Sequence, residues 1–89
     1  MSTVSGAIQD TIYHFRQALE LDPDLAFAYR DLCYLLFQHG KIDDAKEVIT
    51  KGIAHNPGIP EYHFYLGNLY LHTKDFDKAV ISYRNALSI

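Results

Sequence analysis

Residues 18–57 read ALELDPDLAFAYRDLCYLLFQHGKIDDAKEVITKGIAHNP, and the stretch opens and closes on phrases of the same pattern, ALELDP at 18–23 and GIAHNP at 52–57. Each phrase runs from a small residue through an apolar one to an Asx-Pro turn. The two prolines, Pro23 and Pro57, lie 34 positions apart, and the same offset links Leu32 to Leu66, Ala45 to Ala79, Ile49 to Tyr83 and the turn residues Gly40 and Lys74. One offset shared by apolar, small and turn positions marks a tandem repeat, and a period of this length is the signature of stacked supersecondary units.

Within one period the apolar spacing is helical. Leu25, Ala28, Tyr29, Leu32 and Leu36 follow one stripe, and Ile42, Ala45, Val48, Ile49 and Ile53 follow a second. Two amphipathic helices per unit follow from that pattern. Gly40 provides the left-handed residue that ends the first, and Asp43 and Asp44 place carboxylates at the positive end of the second. In the next unit Lys74 takes the place of Gly40, with Asp75 beside it to cap the following helix. The segments LDPD and NPGIP stop one helix and start another with proline. The spacing predicts helices over 7–21, 25–39, 42–55, 60–73 and 76–88, with Gly6 at a turn.

The motif Tyr29-x₂-Leu32-Cys33-x₂-Leu36, then Ala45-x₃-Ile49, then Pro57, resembles the tetratricopeptide repeat. Its second copy reads His63-x₂-Leu66-Gly67-x₂-Tyr70, then Ala79-x₃-Tyr83. The segment GAIQDTIYHFRQALELDP resembles the second helix of an earlier unit, with Phe15, Ala18 and Pro23 in register and Thr11 where alanine is usual. The resemblance implies one all-α domain over residues 1–89, built of antiparallel helix hairpins stacked as a short right-handed α-solenoid. It divides into a half repeat at 6–23, a full repeat at 26–59 and a near-complete repeat at 60–89 without its terminal proline turn.

Composition narrows the function classes. Apolar residues make up 48% of the chain and charged residues 21%, which is a folding chain rather than a disordered one. The net charge is −3 and the eight Lys and Arg form no cluster of three, which argues against nucleic acid and against anionic membrane surfaces. No continuous apolar run approaches the about 20 residues of a membrane span, and the start MSTVSGAIQDTIYHF has no basic leader. Cys33 is the sole cysteine, so no internal disulfide forms. A cytoplasmic location is the expectation.

The chemistry-bearing residues give no catalytic constellation. His14 and Asp10 share a helix face but have no third or fourth ligand, His39 and His55 fall at helix C-termini, and His63 takes an aromatic slot. Cys33 falls at a small, buried position. There is no phosphate-binding glycine loop, nucleophile elbow or zinc-protease motif. The expectation is a non-enzymatic protein with no cofactor and no metal.

The resemblance implies a concave groove formed by the first helix of each hairpin, which takes a peptide or helix of a partner protein. Carried onto this chain, the groove positions are Phe27, Arg30, Tyr34, Phe37 and Gln38 in the first hairpin. In the second they are Glu61, Phe64, Tyr65, Asn68, Leu71 and His72. The aromatics favour an apolar ligand, Arg30 offers a carboxylate partner, and Asn68 offers an amide to an extended backbone. Relatives that clamp acidic C-termini line the groove with several Lys, Arg and Asn, whereas here only Arg30 and Asn68 fit.

A rival reading rests on the end helices. Val80, Tyr83 and Leu87 at one end, and Ile8, Ile12 and Phe15 at the other, form apolar faces that suit self-association into a homo-oligomer. A third reading makes the chain a docking segment of a larger enzyme.

Overall fold

The computed structural model describes residues 3–89, with side chains from residue 6 onward. Five helices follow in order: α1 (Thr3–Leu21), α2 (Ala26–Gln38), α3 (Ile42–His55), α4 (Pro60–His72) and α5 (Phe76–Ser88), and no strand occurs among the described residues. The hairpins α2–α3 and α4–α5 make the most extensive contacts, and α3–α4 and α1–α2 join one unit to the next. The Cα atoms span 42 × 30 × 13 Å. The thinnest dimension holds little more than one interhelical spacing of about 8–10 Å, so the helices form a stacked array rather than a round bundle.

Both hairpin turns are built alike. Lys41 N–H donates to Leu36 O at 2.9 Å, and 34 residues later Asp75 N–H donates to Tyr70 O at 2.9 Å. This bond closes a helix through a left-handed residue. Gly40 adopts φ 74° without cost, while Lys74 adopts φ 62° with a side chain to accommodate. Asp43 and Asp44 lie in the first turn of α3, and Pro60 opens α4, as the sequence predicts.

Two local expectations are corrected. Gly6 lies inside α1 rather than at a turn. A mid-helix glycine costs only about 1 kcal/mol, and no proline stands near it to break the helix. Asp75 holds the N-cap position of α5 but makes no capping bond. Its carboxylate instead accepts the Thr73 hydroxyl at 3.0 Å.

The core lies along the seams. Leu32, Cys33, Leu36, Ala45, Val48 and Ile49 are buried on α2 and α3, and Ala79 and Ala86 are buried on α5. Alanine at 45 and 79 lets the backbones of each hairpin approach. Glycine serves the same purpose at two crossings. A Cβ on Gly52 would lie 3.0 Å from Cβ and Cγ of Tyr29, and one on Gly67 would lie 2.7 Å from Cε1 of Tyr83.

The joint between units rests on Tyr62, a residue the repeat pattern alone does not single out. It is fully buried, its hydroxyl donates to the Ala26 carbonyl, and its ring meets Tyr29 edge-on at 6.3 Å. A hydroxyl buried in this way must find an acceptor, and the first turn of α2 offers one.

Candidate functional site

Helices α2 and α4 are the first members of their hairpins, and between them lies a cavity of about 320 Å³. Cys33 and Leu69, both buried, form its floor, and Tyr34, Phe37, Tyr65 and Leu71 form its walls. Asn68 and His72 complete the rim. Such a volume lies at the lower end of ordinary ligand pockets and fits a few side chains rather than a large molecule.

Asn68 and Tyr65 also border an adjoining cavity of about 310 Å³ together with Pro60, Glu61 and Phe64. The two cavities share these residues and so run together along α4. Most of the groove positions named from the sequence therefore meet in one trough. Three do not. Phe27 lines a separate cavity of about 370 Å³ against Thr11, His14 and Phe15 of α1. Arg30 Nε lies 3.3 Å from Asp31 Oδ1, so its charge is already answered by its neighbour. Gln38 is exposed at the end of α2 and lines neither cavity.

The trough exposes aromatic and aliphatic surface. Tyr34, Phe64 and Leu71 are each about half exposed, which is unusual for side chains of this size gathered on one face. Local packing fixes their neighbours. Phe37 meets the His72 ring edge-on at 4.7 Å, and Phe64 meets Tyr83 edge-on at 5.4 Å. Tyr83 in turn donates its hydroxyl to Asn68 Oδ1 at 2.5 Å. The floor is chemically quiet, because burial pushes the Cys33 thiol up to about 12, far from thiolate formation at neutral pH.

The end-helix residues divide. Ile12 is buried, and Ile8 and Phe15 are half-buried against the core formed with α2. Tyr83 is half-buried over α4. Val80 and Leu87 stand out from α5, Leu87 at 82% exposure.

The histidines occupy helix ends and surfaces. His39 caps α2, and His55 closes α3, where it stacks on Tyr29 at 6.1 Å with Nδ1 4.0 Å from Asp24 Oδ1. His14 is exposed and His63 half-buried. Among the described residues, no three His, Cys, Asp or Glu side chains gather as metal ligands, and no helix is long and apolar enough to cross a membrane.

Residues 30–89 match the profile of the tetratricopeptide repeat. Among solved structures, a crystal structure of MamA is similar over 97% of this chain and 50% of its own, with 27% identity and a TM-score of 0.85. A second crystal structure of MamA protein is similar over 91% and 44%, with 28% identity and a TM-score of 0.83. The structure described as MamA MSR-1 C2 shares the fold at a TM-score of 0.82 with 15% identity. The chain thus spans about half the length of the solved proteins it matches.

Proposed function

The chain belongs to the tetratricopeptide repeat family, and from that premise we propose that it is a non-enzymatic protein-interaction scaffold whose α2–α4 trough holds an apolar segment of a partner protein. The observation that carries this reading is the concentration of half-exposed Tyr34 and Leu71 around a cavity of about 320 Å³, with half-exposed Phe64 at the adjoining cavity of about 310 Å³. Large apolar side chains so placed are anchors awaiting a partner. Asn68 supplies a polar contact in the middle of the trough, and the two cavities joined along α4 give room for successive side chains of the ligand.

Short linear peptides selected by display against the protein provide the test. The double variant Tyr34→Ala/Asn68→Ala is expected to lose the selected peptides while keeping its melting temperature, because both side chains are exposed. Undiminished binding would place the interaction on another face.

A second reading, self-association through α5, has its own observation. Ile53 is half-buried and packs against the core, while its counterpart 34 residues on, Leu87, is 82% exposed. Ile42 is half-buried while its counterpart Phe76 is 58% exposed. The face that α3 covers with α4 is thus present and open on α5. Light scattering over a wide concentration range tests it: a larger species that Leu87→Glu dissolves supports a homo-oligomer, and a monomer at every concentration refutes it. The finer reading as a docking segment of a larger enzyme has no comparable observation.

A further inference from the structure

The two hairpins keep Leu32 with Leu66 and Ala45 with Ala79 at the seam but differ at many other positions, and three of those differences are linked. Cys33, Tyr34 and Ile49 in the first unit correspond to Gly67, Asn68 and Tyr83 in the second. These three substitutions are one device. Glycine at 67 leaves space for the Tyr83 ring, whose Cε1 lies 2.7 Å from where a Cβ would be. Phe64 holds the same ring edge-on at 5.4 Å. The ring thereby carries its hydroxyl from α5 to α4, where it donates to Asn68 Oδ1. With Ile49 in place of tyrosine, the first unit has no such bond to make.

A side-chain amide has one acceptor end and one donor end. The phenol occupies the acceptor of Asn68, and the planar amide then turns Nδ2 and its two N–H groups away from Tyr83. Asn68 borders both cavities of the trough, so the donor end is what a ligand meets there. Resting on the groove reading above, we propose that Tyr83 is a positioning residue that fixes Asn68 as a hydrogen-bond donor, and that the trough thereby selects an extended apolar segment presenting a backbone carbonyl. An α-helix engages its carbonyls in its own i to i−4 bonds. A helix laid on this face by its apolar stripe leaves the Asn68 N–H groups covered and unanswered, which disfavours it. An extended chain has carbonyls free and satisfies the donor between two anchoring side chains.

The test uses display-selected linear peptides, measured by fluorescence anisotropy against the wild-type protein and the single variants Tyr34→Ala, Asn68→Asp and Tyr83→Phe. Asn68→Asp is decisive because its carboxylate still accepts the Tyr83 hydroxyl but offers no donor to the ligand. The expected result is about tenfold weaker binding with an unchanged melting temperature. Tyr83→Phe is expected to weaken binding about threefold by freeing the amide to turn. Replacing the peptide's amides one at a time by esters, which weakens each carbonyl as an acceptor, is expected to reveal one sensitive position on the wild-type protein and none on Asn68→Ala. If Asn68→Asp melts early, the ester scan on the wild-type protein decides alone.

Peptides that lose affinity with Tyr34→Ala but ignore Asn68→Asp and every ester overturn the Tyr83–Asn68 inference and leave the groove standing. Peptides indifferent to Tyr34→Ala as well, or no selected peptide at all, overturn the groove itself. A bound peptide that is helical by isotope-edited spectroscopy overturns the selection for an extended segment.

Discussion

Replacing Gly52 by alanine sets two known effects against each other at one atom. Alanine favours a helix over glycine by about 0.8–1.0 kcal/mol, so Gly52→Ala in the last turn of α3 would stabilise an isolated helix by up to that amount. In the fold the added methyl would lie 3.0 Å from Cβ and Cγ of Tyr29 and 3.1 Å from Cε2 of Tyr62. Neither ring has an easy escape. The nearest atoms of Tyr29 are at the root of its side chain, where rotation does not remove them, and Tyr62 is tied by its hydroxyl to the Ala26 carbonyl. Relief therefore requires α2 and α3 to separate, and overpacking of a filled core costs about 1–3 kcal/mol. With both rings buried, the upper part of that range applies, and the net loss is about 1–2 kcal/mol after the helix gain. In a domain of this size the melting temperature falls by roughly 5–15 °C. The control is Gly6→Ala, also within a helix, where the added Cβ meets nothing within 4 Å. It is expected to raise the melting temperature by no more than the helix preference allows. Thermal unfolding followed by far-ultraviolet circular dichroism reads both variants. A Gly52→Ala protein that melts at or above wild type would show that the α2–α3 crossing is not held as close as the geometry states.

Three further outcomes follow from the same structure. Ala79→Leu forces a larger side chain into a buried seam position and is expected to cost about 1–3 kcal/mol, seen as an earlier thermal transition. Lys74→Gly relieves a left-handed residue and is expected to stabilise by up to about 1 kcal/mol, whereas Gly40→Ala at the equivalent turn destabilises by a similar amount; urea titrations that moved both midpoints the same way would contradict this. Alkaline pH should weaken the fold, because burial raises the Cys33 thiol from 9.0 to about 12, and burial first, with the Tyr29 hydroxyl second, raises Tyr62 from 10.0 to about 12. The unfolded chain releases these protons first, so their contribution is full below pH 9.0 and is lost as the pH rises towards about 12. Cys33→Ala should delay the fall in the urea midpoint, and a midpoint flat across this range would refute the assignment.

The repeat offset made the frame legible because it acts on backbone geometry. A left-handed residue at 40 and 74, alanine at 45 and 79, and proline at 60 leave few ways to join two helices, and the predicted ranges for α3 and α5 match the structure. What escaped the sequence depends on contacts that no period records. Phe27 lines a cavity beside α1 rather than the α2–α4 trough, and Arg30 Nε meets Asp31 on the same helix. The Tyr62 hydroxyl bond spans 36 residues and has no counterpart in the described half repeat, so comparison between units does not reveal it. The sequence places Tyr83 both in the hairpin seam and on the end face, and the space over Gly67 explains why its hydroxyl reaches Asn68.

The two units diverge in the trough and also at the buried seam, where Leu36 and Val48 correspond to Tyr70 and Ser82. Leu32 and Leu66, and Ala45 and Ala79, keep their identity at the hairpin seams, where a change in volume would separate helices. Tyr34 and Asn68 face the trough and differ in polarity and shape, and Phe37 and Leu71 face it and differ in shape. Tyr34, Asn68 and Leu71 are exposed, so the groove's chemistry can change there without unfolding the hairpins beneath it. The Gly67–Tyr83 contact reaches from the trough into the seam and couples groove polarity to packing. For that reason a substitution at Tyr34 should alter binding alone, whereas one at Gly67 should alter binding and stability together.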